Sequence, residues 1–475
     1  MFVGGLFLIA VAVWCVPLFE RARLPVLGAI VLAVGTVFGP AFFAIDGILQ
    51  VSLERILFAI VCVVAFFSLR GSTAGIPKPL PIDWMVATYA LWVLISALRY
   101  EAPHDSSPLG TWIFYILMPA VLYGILRVAK LRDSDIFRTE SILLGLGLYL
   151  AVTGFFECRG WYSLVFPRFI ADPTNWEFLG RARGPLLNPS ANGIVLTIAL
   201  AISAVRLLRA WRDDQALPTT RAEQLGYSIS TLVLMLGIYS TLTRSVWIGA
   251  IIAIVVVFWQ VTPRWTKVLG LCSAILLAGF VAAGLKDQLL RMKRDKNLSA
   301  AEAEKSVQLR PLLAIVAYEM IKDAPLTGHG FGHYFQASKK YYSLRDYGLP
   351  LEITRKYHQH NVVLTVAVNN GLIGLSMFIV MLVTWIRMGW RLSKSTNSSP
   401  IRRDAGIAGV AGIAGYLVGG MFQDVTIMPM INMYLFYLAG TLVTLSQIPH
   451  PARAGLRGQE SMVQSTRRAV LVIDS

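Results

Sequence analysis

Thirteen apolar runs separated by short polar connections constrain this chain more than any other feature. They cover residues 2–19, 24–45, 56–69, 84–98, 111–128, 142–156, 192–208, 227–242, 246–261, 268–285, 362–386, 405–421 and 430–445. Segments of this length approach or exceed what is needed to cross ~30 Å of hydrocarbon. In lipid only a helix or a closed barrel satisfies its own backbone. The predicted fold class is an all-α polytopic membrane protein of about 12–13 transmembrane helices, the number depending on the first pair. Composition agrees: 56% of the 475 residues are hydrophobic and only 15% charged, which excludes an ordinary soluble domain. The first run lacks a basic leader and a small-residue cleavage site, so it reads as a retained helix.

The formal charge of +16 would suggest nucleic acid in a soluble chain. Here many basic residues fall in short connections, the pattern that orients helices in a bilayer, so no nucleic-acid partner is implied. Three connections carry the signal: Arg127, Lys130, Arg132 and Arg138; Arg206, Arg209, Arg212 and Arg221; and Arg387, Arg391, Lys394, Arg402 and Arg403. They mark a cytoplasmic side. By helix counting, the tail (Arg453, Arg457, Arg467, Arg468) joins them, while residues 99–110, 158–190 and 286–360 fall outside. Cys15, Cys62 and Cys272 lie in apolar runs and Cys158 in a loop, so no disulfide framework or CxxC pair is present.

The expected organisation is N-terminal transmembrane helices (1–156), helices with external arginine motifs (157–285), one large extracytoplasmic loop domain (286–360), C-terminal transmembrane helices (361–445) and a cytoplasmic tail (446–475). Residues 286–360 hold 13 Lys and Arg, 8 Asp and Glu, and four of the six histidines, too much for a linker. Ser299 and Glu302 form a capping box opening a helix to about Asp323, before Pro325. Leu312, Leu313, Val316 and Met320 share one face of it, to lie on the membrane or pack on the bundle.

Candidate chemistry collects on the external side. His360 stands where the large loop meets a transmembrane helix, and an imidazole at a water–lipid boundary suits a general base near pH 7; the plain alternative is an ordinary interfacial histidine. Gly371 and Gly374 follow on that helix, leaving a face that a neighbour can approach closely. Arg244 interrupts two apolar runs at an external turn that inside-positive logic does not explain; otherwise it snorkels to lipid phosphate. Arg181 and Arg183, in RARGPLLNPSANG, precede a helix whose entrance turn is Asn188-Pro189, and Arg310 opens the amphipathic helix of the loop. Guanidinium forks bind phosphate oxygens bidentately. Several facing one histidine suit a lipid-linked phosphate ester.

Other constellations carry less. His329, His333, His358 and His360 lack metal-ligand spacing and a carboxylate motif, so no metal is expected. Gly328, Gly330 and Gly332 in TGHGFGHYF have no strand or Walker lysine around them and read as flexible turn glycines. No glycosidase-type carboxylate pair is recognisable. Asp424, in MFQDVTIMP, reads as a turn residue, a part in orienting a sugar being the minor option. Asn369 and Asn370 are polar residues deep in a helix, able to bond to neighbouring helices.

Taken together these motifs resemble the O-antigen ligase and O-antigen polymerase superfamily of bacterial membrane glycosyltransferases. The resemblance rests on His360-Asn361 followed by Gly371-Leu-Ile-Gly374, on Arg244 in STLTRSVWIGA, on Arg181 in its Arg-x-x-Gly…Asn-Pro stretch with Arg183 an additional basic residue, on PLTGHGFGHYF, and on Arg310 before it. It spans residues 181–374. It implies transfer of a glycan from an undecaprenyl-pyrophosphate carrier to an acceptor hydroxyl at the periplasmic face of the inner membrane, without metal or cofactor. His360 would be the base, and Arg181, Arg244 and Arg310, with Arg183 beside them, would bind the pyrophosphate. Ligase, polymerase and protein oligosaccharyltransferase stay open as types, with a slight lean to polymerase. The competing classes are a transporter or flippase for lipid-linked sugar, which needs polar groups lining a passage through the midplane, and a scaffold of an envelope assembly.

Overall fold

The computed structural model of the protein describes residues 23–45, 50–70, 77–101, 107–212, 220–263, 266–267, 300–344 and 346–448. The expected runs 2–19 and 268–285, Ser299 of the capping box and nearly all of the tail lie outside the described residues. The helices are α1 (Leu24–Val37), α2 (Leu53–Arg70), α3 (Pro81–Leu98), α4 (Pro108–Val128), α5 (Asp133–Arg159), α6 (Pro189–Trp211), α7 (Arg221–Ser240), α8 (Arg244–Val261), α9 (Ala300–Asp323), α10 (Val362–Lys394), α11 (Pro400–Gly420) and α12 (Pro429–Gln447). The strands among the described residues are two antiparallel pieces, β1 (Ala44–Ile45) and β2 (Val51–Ser52). Among the described residues seven helices, α3–α6, α8, α10 and α12, are long and apolar enough to cross a membrane. The chain is an all-α polytopic membrane protein.

Local chemistry sets the boundaries. Proline stands in the first turn of α1, α3, α4, α6, α11 and α12, where its missing N–H costs nothing. Asn188 caps α6 through its Oδ1 (2.9 and 3.1 Å to Ser190 N and Ala191 N), Thr220 and Glu223 form the box that opens α7, and Ser399 caps α11. The run expected at 24–45 yields a shorter helix, because Gly39-Pro40 stops it and the chain turns into β1. Within α4, Pro119 cannot donate to the Tyr115 carbonyl. The helix widens to a π turn at Ile113–Leu117, and Asn432 Nδ2 of α12 donates to that carbonyl (3.2 Å).

The bundle has two chemically different ends. At one, the three basic connections meet, and four of their arginines are paired: Arg127 with Asp83, Arg206 with Glu140, Arg209 with Asp404 and Arg402 with Asp133, all at 2.8–3.0 Å. At the other end lie residues 160–188, the 241–243 turn, the 300–361 insert and the 421–428 turn. Small residues let the helices approach. A Cβ on Gly147 would sit 2.2 Å from Ala199, and one on Gly249 would sit 3.3 Å from the Gly415 carbonyl.

Within the insert, α9 runs to Asp323 as expected. Its Leu312, Val316 and Met320 are buried against Tyr334, Tyr341, Tyr342, Leu351 and Val368. That face is covered by the insert itself and by α10.

Candidate functional site

The insert is joined to the bundle through a break in α10. Gly371 has φ 68° and ψ −175° in the middle of that helix, a conformation open essentially to glycine alone. The chain segment Pro325–Gly330 enters the gap and bonds to both sides of it. His329 N and Gly330 N donate to the Val368 and Asn369 carbonyls (2.8 and 3.0 Å), while Leu372 N and Ile373 N donate to Pro325 and Leu326 (2.8 and 3.3 Å). Helix α3 completes the satisfaction: Ser96 Oγ donates to the Asn369 carbonyl (2.9 Å) and Trp92 Nε1 to that of Asn370 (3.0 Å). Irregular backbone is tolerated inside a membrane bundle only when it is bonded in this way.

This corrects two expectations. Gly371 does not serve helix packing; a loop backbone occupies the space, and a Cβ there would lie 2.1 Å from the Leu326 carbonyl oxygen. Gly374 does meet a helix, with Trp92 of α3 3.2 Å from where its Cβ would be. Gly328, Gly330 and Gly332 are not loose turn residues. All have positive φ (69°, 95° and 82°), and a Cβ on Gly328 would fall 2.5 Å from Gly371 N.

Just above the break, α10 begins at a junction of four elements. His360 is half-buried, with φ 51°, a left-handed conformation that a non-glycine residue adopts at a cost. Its ring lies 6.3 Å from that of Tyr357. Asn361 caps α10, accepting from Val363 N and Leu364 N, and donates from Nδ2 to the Met421 carbonyl (3.1 Å). Arg310 of α9 reaches the same turn: its Nη2 lies 3.4 Å from the Phe422 carbonyl, with the guanidinium over the Phe422 ring. Arg244, exposed at the first residue of α8, is brought level with that turn. Gly249 packs on Gly415 and Val418 of the antiparallel α11, and five residues correspond to about 7–8 Å along a helix. No side-chain partner of Arg244 is found among the described residues.

Arg181 and Arg183 are placed differently. Arg181 is 2% exposed, and its Nε donates to the Thr241 carbonyl (3.1 Å), with Nη2 reaching Leu242 and Thr243. It holds the turn that presents Arg244. Arg183 is fully buried and paired with Glu157 (2.7 Å), and its remaining donors go to the carbonyls of Ile170, Asn175 and Glu177. Glu157 also accepts from Arg183 N and Gly184 N. Burial and these bonds leave Arg183 no face for a phosphate, so it knots residues 170–184 together.

Residues 229–379 match the family described as O-antigen ligase. No curated protein matches the chain. The matched segment runs from within α7 to within α10, so Arg244, Arg310, the three glycines of 328–332, His360, Gly371 and Gly374 all fall inside it. Arg181 and Arg183 precede it.

Two residues weigh more in the structure than in the sequence. Asp424 is fully buried, accepting from Thr365 Oγ1 (2.8 Å) and from the backbone N–H and hydroxyl of Thr426. His358 stacks on Tyr334 and meets the Phe335 ring edge-on. Burial pushes the Asp424 carboxyl above the usual range, while the two hydroxyls and His358 pull it back. Burial likewise holds the His358 imidazole below its ordinary range, with Asp424 opposing. The sequence signal was the proximity of Thr365 to His358 and of Asp424 to Thr426, which says nothing of contact across 59 residues. The histidines are dispersed: His329 Nε2 meets the Met320 carbonyl (2.8 Å) and His333 Nδ1 that of Phe331 (3.0 Å). Among the described residues no three His, Cys, Asp or Glu are grouped to hold a metal.

Proposed function

We propose that the protein is a membrane glycosyltransferase of the O-antigen ligase or polymerase type, moving a glycan from an undecaprenyl-pyrophosphate carrier to an acceptor hydroxyl at the periplasmic face of the bacterial inner membrane. The observation that carries this reading is that Asn361, next to His360, and Arg310 both bond to the Met421–Phe422 turn, while His360, Arg310 and Arg244 all fall within the matched residues 229–379. His360 removes the proton from the acceptor hydroxyl. The freed oxygen attacks the anomeric carbon as its bond to the pyrophosphate oxygen breaks. Arg244 and Arg310 take the charge that develops on the leaving group, and Arg181 keeps the Arg244 turn in place. The proton leaves His360 for solvent, and no metal or cofactor enters the scheme. The left-handed backbone at His360 supports the assignment, since such strain is kept where a side chain must be aimed. The acceptor is a second lipid-linked glycan in the polymerase form, which we favour, or a lipid core in the ligase form.

The test is reconstitution with a defined undecaprenyl-pyrophosphate oligosaccharide and each acceptor, reading products by mass. His360→Ala should still bind donor and transfer at least ~100-fold more slowly. Wild-type turnover in that variant would remove the proposed base, and lost donor binding would make His360 a phosphate ligand.

A further inference from the structure

Beneath the break in α10 lies an internal cavity of about 20 Å³, room for one water-sized occupant. Its polar lining is unusual in direction. Asn369 and Asn370, 8% and 2% exposed, both line it, and the Oδ1 of each is buried without a hydrogen-bond partner. Thr365 and Thr426 also line it; both hydroxyls direct their protons to Asp424, that of Thr365 shared with Gln359 Oε1 at 3.2 Å, which leaves lone pairs as what they can offer the cavity. Tyr416 directs its hydroxyl proton to Asn432 Oδ1 (3.4 Å), and the Asn432 amide protons go to the Tyr115 and Thr426 carbonyls. Thus five oxygens with no proton left to give, from α10, α11 and the 421–428 turn, belong to residues that line one small space. The half-helix that ends at Asn370 adds the negative end of its dipole, and the Asp424 carboxylate stands one hydroxyl away.

We infer that this cavity is a binding site for one dehydrated monovalent alkali cation, Na⁺ or K⁺, held by Asn369 Oδ1, Asn370 Oδ1, Thr365 Oγ1, Thr426 Oγ1 and the Tyr416 hydroxyl. A water supplies two donors and leaves most of these acceptors unmatched, whereas a cation engages them all. The donors are neutral oxygens with no carboxylate in direct reach. That disfavours Mg²⁺, which keeps its waters, and Ca²⁺, which draws on carboxylates. Broken helices build cation sites from the same elements, a half-helix carboxyl end and side-chain oxygens. The ion would tie the end of the first half of α10 to the turn that carries Asp424. This inference is independent of the transfer chemistry.

The experiment uses the full chain in nanodiscs with N-methylglucamine as the sole cation, at constant ionic strength. NaCl or KCl is titrated while the thermal midpoint is followed, and ²²Na⁺ or ⁸⁶Rb⁺ binding is measured directly. One ion should bind saturably at one per chain and raise the midpoint. Asn370→Leu should weaken binding at least ~10-fold. Asn370→Asp should lower the midpoint in N-methylglucamine, recover it with the ion, and bind at least ~10-fold more tightly; a purely structural asparagine predicts no such rescue. Absence of saturable binding to the wild type, as for a cavity holding only water, overturns the site. So does unchanged affinity in both Asn370 variants.

Discussion

Replacing Gly371 with alanine tests whether the insert is locked to the bundle through the α10 break. At φ 68° and ψ −175° an alanine is strained by roughly 1–3 kcal/mol. Its Cβ would also stand 2.1 Å from the Leu326 oxygen, 2.3 Å from the Leu326 carbonyl carbon and 2.5 Å from Thr327 N. These are backbone atoms that no rotamer change can move aside. Relief requires withdrawing Pro325–Gly330, with loss of the four backbone bonds from His329, Gly330, Leu372 and Ile373. At about 0.5–1.5 kcal/mol net for each, withdrawal costs about 2–6 kcal/mol. Denaturant unfolding in nanodiscs should register that loss, and hydrogen exchange should show the amides of His329 and Gly330 unprotected. Gly145→Ala is the control, since nothing lies within 4 Å of its Cβ position; it should be neutral or gain up to about 1 kcal/mol. A Gly371→Ala protein within about 1 kcal/mol of wild type, with both amides protected, would refute the locking.

Three further outcomes are expected. Arg244→Lys keeps the charge but not the guanidinium fork, so transfer should lose about 2–4 kcal/mol of transition-state stabilisation at unchanged membrane levels, measured as kcat on a lipid-linked donor. Arg183→Met strands the Glu157 carboxylate, which is fully buried, and should cost about 3–5 kcal/mol in denaturant unfolding, with Arg183→Met/Glu157→Met recovering part of it. Cysteines at the exposed positions Lys339 and Asn397 should react with an impermeant thiol reagent from opposite sides of the membrane; labelling of both from one side would reverse the proposed orientation.

What the sequence disclosed was local. The end of α9 at Asp323, the Asn188-Pro189 entrance to α6 and the basic connections depend on neighbouring residues, and each was legible. The α10 break was not. Gly371-x-x-Gly374 has the spacing of a helix-packing face, and only the arrival of Pro325–Gly330, some 45 residues earlier in the chain, turns the first glycine into a gap. Arginines were misjudged for a related reason. Arg181, Arg183 and Arg244 look alike as external cations, and burial alone separates two that fasten the scaffold from one that faces outward. The pairing of Asp424 with Thr365 depends on α10 and α11 meeting at Val362 and Gly420, which no periodicity encodes.

The paired arginines at the opposite end of the bundle carry a consequence for biogenesis. While the chain is being inserted, helix orientation depends on the Lys and Arg count of short loops, and acidic residues contribute little. Arg127, Arg206, Arg209 and Arg402 can therefore act as topological signals before Asp83, Glu140, Asp404 and Asp133 have come within reach. After folding, the same side chains are largely neutralised cross-braces between helices that were inserted at different times. Lysine would send the same signal to the insertion machinery and make a poorer brace. Thus the need for charge at these four positions belongs to insertion, and the need for a guanidinium belongs to the finished bundle.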